Sequence, residues 1–396
     1  MRTCVASFFD SANLGDLLIA RSLHGFAAEF GPVERVSYSG DPFNFPDPEA
    51  LPARSVLPSG SPGLRVRLVS TRIGHTAWRV KESRSTRHSR ILGTLGRSNL
   101  LMLGGGNMIF DLERWSRSSD RFRYFVDTAR SVKTPTFGIS LGIGPFASAR
   151  QHKDACRALD RCEWLTFRDR AALELYLEHG RRPAELGVDP VLLMDQTIDR
   201  PHSPLNRVAF NLIEPRLLCG IDEPRRQAIM REHAYDLTRL VSDGCEVELF
   251  TTDRADEPFL EELETFVGMS GCRIRPITGL TDLLALYRDV DLVVASRMHA
   301  LIVAFTQGTP VVGLSWQAKV RSLFDLIGRS GQCLPFLDRD PQALRDLIDE
   351  ARTHPQAFAI DDGDRDQLHD LNGANRRVVS SLAHGSGLTT PSHAGA

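Results

Sequence analysis

The chain has little of what several function classes require. Its 396 residues hold seven cysteines, an odd number, scattered at positions 4, 156, 162, 219, 245, 272 and 333. None forms a CxxC pair and no HExxH occurs. Neither a disulfide framework nor a metal site is therefore expected, and reduced, buried thiols in a cytoplasmic protein are the simpler reading. The formal net charge is only −2, which implies no global attraction to nucleic acid. No apolar run is long enough to span a bilayer, and the N-terminus lacks the charged–apolar–small order of a signal peptide. The strict dinucleotide fingerprint GxGxxG is also missing. Gly142, Gly144 and Ala147 meet the looser GxGxxA form, but the acid at about the right distance, Glu163, precedes the next strand instead of ending it. A dinucleotide site is discounted on that ground.

What is present is an alternation of short β-rich runs and amphipathic helices. The length suggests two domains, and 42% hydrophobic with 25% charged residues is the balance of a globular protein. The most informative stretch is 291–319. Asp291–Ala295 reads as a buried parallel strand, too short for a helix. Ser296 is expected to cap a helix over Met298–Thr306, stopped by Gly308 and Pro310, with Val311–Leu314 as the next strand. That is a βαβ unit. Its corner places Arg297, Met298 and His299 in a first helical turn, where free N–H groups and the helix dipole favour an anion. Arg297 adds a planar fork for carboxylate or phosphate. His299 adds an acid or base near neutral pH, and a plain capping histidine beside a surface arginine is the competing account.

Earlier corners repeat the theme. A strand over Val5–Phe9 leads through Asn13, Gly15 and Asp16 into a helix over Leu17–Phe30, where Asp16 serves either as cap or as a cleft carboxylate. Residues 41–63 read as a long loop and Leu64–Val69 as a strand. The basic run 79–97, with Lys81, Arg84, Arg87, His88 and Arg90, reads as a solvated helix face or as a contact for an anionic acceptor. Gly104, Gly105, Gly106 and Asn107 end another strand and permit either close backbone approach to a ligand or a tight turn. The strand Thr136–Ser140 runs into Gly142-Ile143-Gly144-Pro145. Arg168 and Asp169 follow the strand Trp164–Phe167, ahead of a helix over Ala171–His179. The expected organisation is an N-terminal Rossmann-like domain over 1–197 and a linker at 197–206. A C-terminal Rossmann-like domain over 206–340, helices over 341–384 packing back, and a disordered tail over 385–396 follow. Two parallel-sheet α/β domains facing a cleft make the GT-B arrangement.

Taken in order, Asn13-Leu14-Gly15-Asp16, Gly104–Gly106, Gly142–Pro145, Arg168-Asp169, Asp189-Pro190, Ser296–Ala300 and Gly308-Thr309-Pro310 through Lys319 form a set. That set resembles the polysaccharide pyruvyl transferase family over about residues 5–330. The family's usual Arg-Leu-His stands here as Arg297-Met298-His299, and its common serine after the Arg-Asp pair is Ala171 or Ala172. The resemblance implies phosphoenolpyruvate as donor and co-substrate, with no metal and no further cofactor. It implies ketal formation on two hydroxyls of a sugar, with release of phosphate. Donor contacts would fall to Arg168, Arg297, the Met298 backbone and His299. Asn13, Gly15, Asp16, Gly104, Gly105, Gly106, Asn107, Asp189 and Lys319 would line the acceptor side or the cleft. His299 would be the acid and Asp16 the base. The acceptor is expected to be a glycan or lipid-linked sugar, bringing peripheral membrane contact only through that acceptor. A sugar-nucleotide glycosyltransferase on the same fold, and a silent glycan-binding protein, are the competing classes.

Overall fold

The computed structural model describes residues 1–11, 13–39, 42–43, 45, 85–111, 113, 116–194, 206–218, 220–268 and 270–385. The strand expected at 64–69 lies outside the described residues, as do most of the 41–63 loop, the 197–206 linker and the tail.

The first half runs β1 (Thr3–Ser7), α1 (Leu14–Ala28), β2 (Val33–Ser37), α2 (Thr86–Gly96), β3 (Leu100–Gly104) and β4 (Asn107–Asp111). It continues with α3 (Ser118–Ser131), β5 (Thr136–Phe146), α4 (Ala149–Leu159), β6 (Trp164–Phe167), α5 (Arg170–Leu177) and β7 (Glu185–Leu186). These strands pair in parallel in the order β2-β1-β3-β5-β6-β7, with β4 added beside β5. The second half runs β8 (Arg207–Asn211), α6 (Glu223–Ser242), β9 (Glu246–Leu249), α7 (Glu257–Val267), β10 (Cys272–Ile274) and α8 (Leu280–Asp289). Then come β11 (Leu292–Ala295), α9 (Met298–Thr306), β12 (Val311–Ser315), α10 (Ala318–Leu326), β13 (Cys333–Pro335), α11 (Pro341–Thr353) and α12 (Asp362–Ala383). Its sheet is parallel in the order β10-β9-β8-β11-β12-β13. Every residue of β1, β3 and β11 is buried, because helices cover both faces of a parallel sheet.

In each sheet the strand order reverses once, between β1 and β3 and between β8 and β11. Such switch points leave a crevice at the carboxyl strand ends. The crevice floors are closed by side chains on strand ends. Ser7 Oγ donates to the Gly104 carbonyl at 3.0 Å, and Ser296 Oγ donates to the Asn211 carbonyl at 3.1 Å.

The halves meet along one shared apolar core. Leu14, Leu17, Leu18 and Ile19 of α1 pack in the same cluster as Met298, Leu301 and Ile302 of α9. Asn13 and Asp253 form an isolated antiparallel bridge across the seam, and Leu14 N–H donates to the Thr252 carbonyl at 2.9 Å. Helix α12 spans both halves. Its Leu368 joins that shared core, while Ala374, Val378 and Val379 join the core of the first half.

Several local expectations change. Helix α1 begins at Leu14, not Leu17, because Asn13 Oδ1 accepts from Gly15 N at 2.8 Å and Asp16 N at 3.4 Å. Asp16 thus stands in the first turn and is not the cap. Ser296 is not the cap of α9 either. Arg297 holds that position with no side-chain cap bond, since the Ser296 hydroxyl is spent on Asn211 and on Ile213 N at 2.8 Å. The strand expected over Thr136–Ser140 runs on through 142–145 to Phe146, and there it pairs with β4. From Ser85 onward the basic run is helix α2, burying Ile91, Thr94 and Leu95. Arg90 lies exposed with its guanidinium 4.0 Å from the Phe43 ring centroid.

Candidate active site

Arg168 leaves the end of β6 and turns into the crevice, only 4% exposed. Its guanidinium lies flat on Gly142, where an added Cβ would sit 3.0–3.2 Å from Nε, Nη2 and Cζ. Nη1 donates to Asp189 Oδ2 at 2.9 Å, and Nε stands 3.7 Å from Asp169. Asp189 is itself fixed by its Oδ1, which accepts from Val191 N at 3.1 Å at the start of a short 3₁₀ turn. The same Oδ2 lies 3.6 Å from His299 Nε2. That is an ion-pair distance, too long for a hydrogen bond. One carboxylate therefore stands between a cation of the first half and the imidazole of the second. Burial pushes the Asp189 carboxyl up, but His299 and then Arg168 outweigh it and hold it below the ordinary carboxylate value.

His299 is half-buried, and its Nε2 is a buried atom without a hydrogen-bond partner among the described residues. Its ring rests on Gly15. A Cβ there would lie 2.1 Å from Nδ1, so the N-terminal corner of α1 must be glycine for the imidazole to stand where it does.

Arg297 behaves differently from expectation. Its Nε and Nη2 donate to the two oxygens of Asp256, both at 2.8 Å, and Nη2 also lies 3.4 Å from Asp253. Asp253 Oδ2 in turn accepts from Asn13 Nδ2 at 2.9 Å. Asp256 is pinned from behind by Glu214 N at 2.8 Å, and the Glu214 carboxylate sits on buried Arg226. The planar fork of Arg297 is thus filled by the protein, leaving the Nη1 edge. Burial would lower its pKa, but Asp256 outweighs that and raises it, so the guanidinium stays charged.

Lys319, in the first turn of α10, faces a cleft of about 510 Å³ that Arg168, Asp169, Gly142, Phe146 and Asn107 also line. Its Nζ stands 5.6 Å from the Trp316 ring centroid. Burial, then Arg168 and Arg297, push this ammonium down to about 8, against partial relief from Asp16 and Asp169. A cation held in the protein but disfavoured there is relieved by an arriving anion.

The profile of the polysaccharide pyruvyl transferase family matches residues 13–318. The chain belongs to that family. No curated protein sequence matches it. Among solved structures, a UDP-GlcNAc 2-epimerase from Methanocaldococcus jannaschii is similar at 10% identity and TM-score 0.54, covering 95% of this chain and 100% of the other. A Neisseria meningitidis UDP-GlcNAc 2-epimerase, bound to UDP-GlcNAc, is similar at 8% identity and TM-score 0.54, covering 97% and 100%. At such identities the likeness shows the fold, which is GT-B. Among the described residues no helix is long and apolar enough to cross a membrane.

Against this family background the residues expected at the site divide into groups. Arg168, Asp189, His299 and Gly15 form one contiguous cluster, with Lys319 facing the same cleft as Arg168. Asn13 sits on the seam beside Arg297. Asp16 is partly exposed, accepts from Ser11 Oγ at 3.0 Å, and acts electrostatically on both Arg297 and Lys319. Asn107 lines the cleft and donates to the Gly144 carbonyl at 2.8 Å. Met298 is buried in the seam. Gly104 and Gly105 serve packing: their missing side chains make room for the Ile139 carbonyl and for Ile19. Gly106 lies nearer the site, close to Phe8 and Asp16. Sequence reasoning missed Asp253, Asp256 and Asn211. The signal was available in Thr251-Thr252-Asp253-Arg254-Ala255-Asp256, which follows the carboxyl end of β9.

Proposed function

We propose that this chain transfers a pyruvyl group from phosphoenolpyruvate to two hydroxyls of a sugar or glycan, forming a ketal and releasing phosphate. The observation that carries this reading is the grouping of Lys319 with the Arg168–Asp189–His299 bridge at the carboxyl ends of both sheets. Phosphoenolpyruvate carries a phosphate and a carboxylate, and it needs a proton delivered to carbon.

Lys319, whose ammonium has no hydrogen bond or ion pair among the described residues, takes an anionic group of the donor. Arg168 supplies the donors that Asp189 leaves free. Arg297, its fork held by Asp256, contributes charge and fixes the start of α9, where the Met298 and His299 N–H groups face the anion. His299 gives its proton to the methylene carbon, which becomes a methyl group. Asp189 beside Nε2 stabilises the imidazolium before the transfer. The first sugar hydroxyl adds to the cationic carbon and loses its proton to Asp16. The bond to phosphate then breaks, and the second hydroxyl closes the ketal while its proton leaves with phosphate. Acid–base help of this kind is worth about 10²–10⁴ in rate.

The test is incubation with phosphoenolpyruvate and a panel of free and lipid-linked glycans. Phosphate release should match a mass gain on the acceptor equal to pyruvate less water. Thermal stabilisation by uridine or guanosine diphosphate, with none by phosphoenolpyruvate, would favour a sugar-nucleotide glycosyltransferase instead.

A further inference from the structure

We propose that His152, Glu178 and His179 form a binding site for a divalent transition-metal ion of the zinc class. The site would tie α4 to the end of α5 on one wall of the cleft. The inference is independent of the reaction proposed above.

His152 is only 7% exposed. Its Nε2 lies 2.6 Å from the Leu175 carbonyl. A carbonyl only accepts, so Nε2 carries the hydrogen, and in the neutral ring Nδ1 presents a lone pair. This is how metal-ligating histidines are oriented: the far nitrogen donates to a carbonyl or carboxylate, and the near one faces the ion. That near nitrogen has Glu178 Oε2 at 3.8 Å. The His179 ring lies with its centroid 4.7 Å from that of His152, tilted by 52°. One ligand atom from each of the three residues falls within 4.8 Å of the others. Zinc bonds of about 2.0–2.2 Å in a tetrahedron put ligand atoms roughly 3.3 Å apart. The cluster closes on an ion with shifts of about an ångström in Glu178 and His179, both of which are exposed.

Two further features suit a cation. Glu178 caps the carboxyl end of α5, where the helix dipole is negative. Two imidazoles with one carboxylate select zinc, cobalt or nickel over magnesium or calcium, which prefer oxygen. The ring of His152 also stacks on Phe146, centroids 5.2 Å apart at 12°, and Phe146 lines the cleft. A bound ion would therefore brace one wall of the cleft.

The test uses the full chain, stripped with chelator and carrying no affinity histidines. Zinc and cobalt are titrated calorimetrically, and the melting temperature is followed with and without zinc. One equivalent should bind, millimolar magnesium should not compete, and zinc should raise the melting temperature. Glu178→Gln and His179→Ala, on exposed positions that leave the core intact, should each weaken binding by about tenfold or more and abolish the thermal shift. Absence of saturable binding below about 100 µM would leave the cluster as a His–Glu ion pair and overturn the proposal. So would one-equivalent binding that survives both substitutions, since the ion would then sit elsewhere.

Discussion

Lys319 offers the sharpest perturbation, because its charge state is set by the site and, on the function proposed above, changes when the donor arrives. In the free protein the ammonium is pushed down to about 8 by burial and by Arg168 and Arg297. With a phosphate or carboxylate beside it, the pKa returns to the ordinary 10.5 or above. Binding above pH 8 is then coupled to proton uptake. Working the linkage through, donor Kd should weaken by roughly 25-fold between pH 7.5 and 9.5. At pH 8.5 about three-quarters of a proton should be taken up per donor bound. The phosphate contributes nothing here, because its second ionisation, at about 6, is already complete. The assay is calorimetric titration of phosphoenolpyruvate in two buffers of different ionisation enthalpy across that pH range. Lys319→Arg, which stays charged throughout, should flatten the alkaline limb. Lys319→Met should weaken donor binding at pH 7.5 and show no uptake. A flat wild-type profile without proton uptake would refute the reasoning, as would the same limb in Lys319→Met.

Other substitutions separate chemistry from placement. His299→Gln keeps a hydrogen-bond donor but loses the transferable proton, so kcat should fall by about 10²-fold or more while donor affinity changes far less; lost donor binding with unchanged kcat at saturation would make His299 an anion holder only. Gly15→Ala puts a methyl 2.1 Å from His299 Nδ1 and must displace the ring, which should lower kcat by about 10²-fold; wild-type kcat in this variant would show that the imidazole does no work where it stands. Asp189→Asn removes the charge between Arg168 and His299, and leaving buried Arg168 without it should cost about 3–5 kcal/mol in denaturant unfolding. Since the folded Asp189 pKa is depressed, its contribution is present above the ordinary 3.8 and is lost as pH falls through the lower folded value. Wild-type stability should therefore drop more steeply than that of Asp189→Asn on acidification below about pH 4, and parallel curves would count against the bridge.

The sequence by itself determined the class of fold and much of the site's membership. Runs such as Leu292–Ala295 and Val311–Leu314 are apolar on both faces, the pattern of strands in a parallel sheet covered by helices on both sides. Local chemistry located Arg168, Arg297, His299 and Lys319 just beyond such strands. Local chemistry could not tell which of these cations is free. Arg297 and Lys319 look equally available in the sequence. One is matched to Asp256, far away along the chain, and the other faces the cleft with no hydrogen bond or ion pair among the described residues. The caps moved for the same kind of reason: Ser296 bonds to Asn211 on a neighbouring strand, and a contact across the sheet outranks a local propensity. Gly15 reads as part of a strand-to-helix turn and Gly142 as part of a loose GxGxxA pattern, and only the packed structure shows that they are the seats of His299 and Arg168. Spacing along the chain fixes which strand end a residue leaves. Which charges meet there depends on how two sheets and their covering helices bring distant strand ends together.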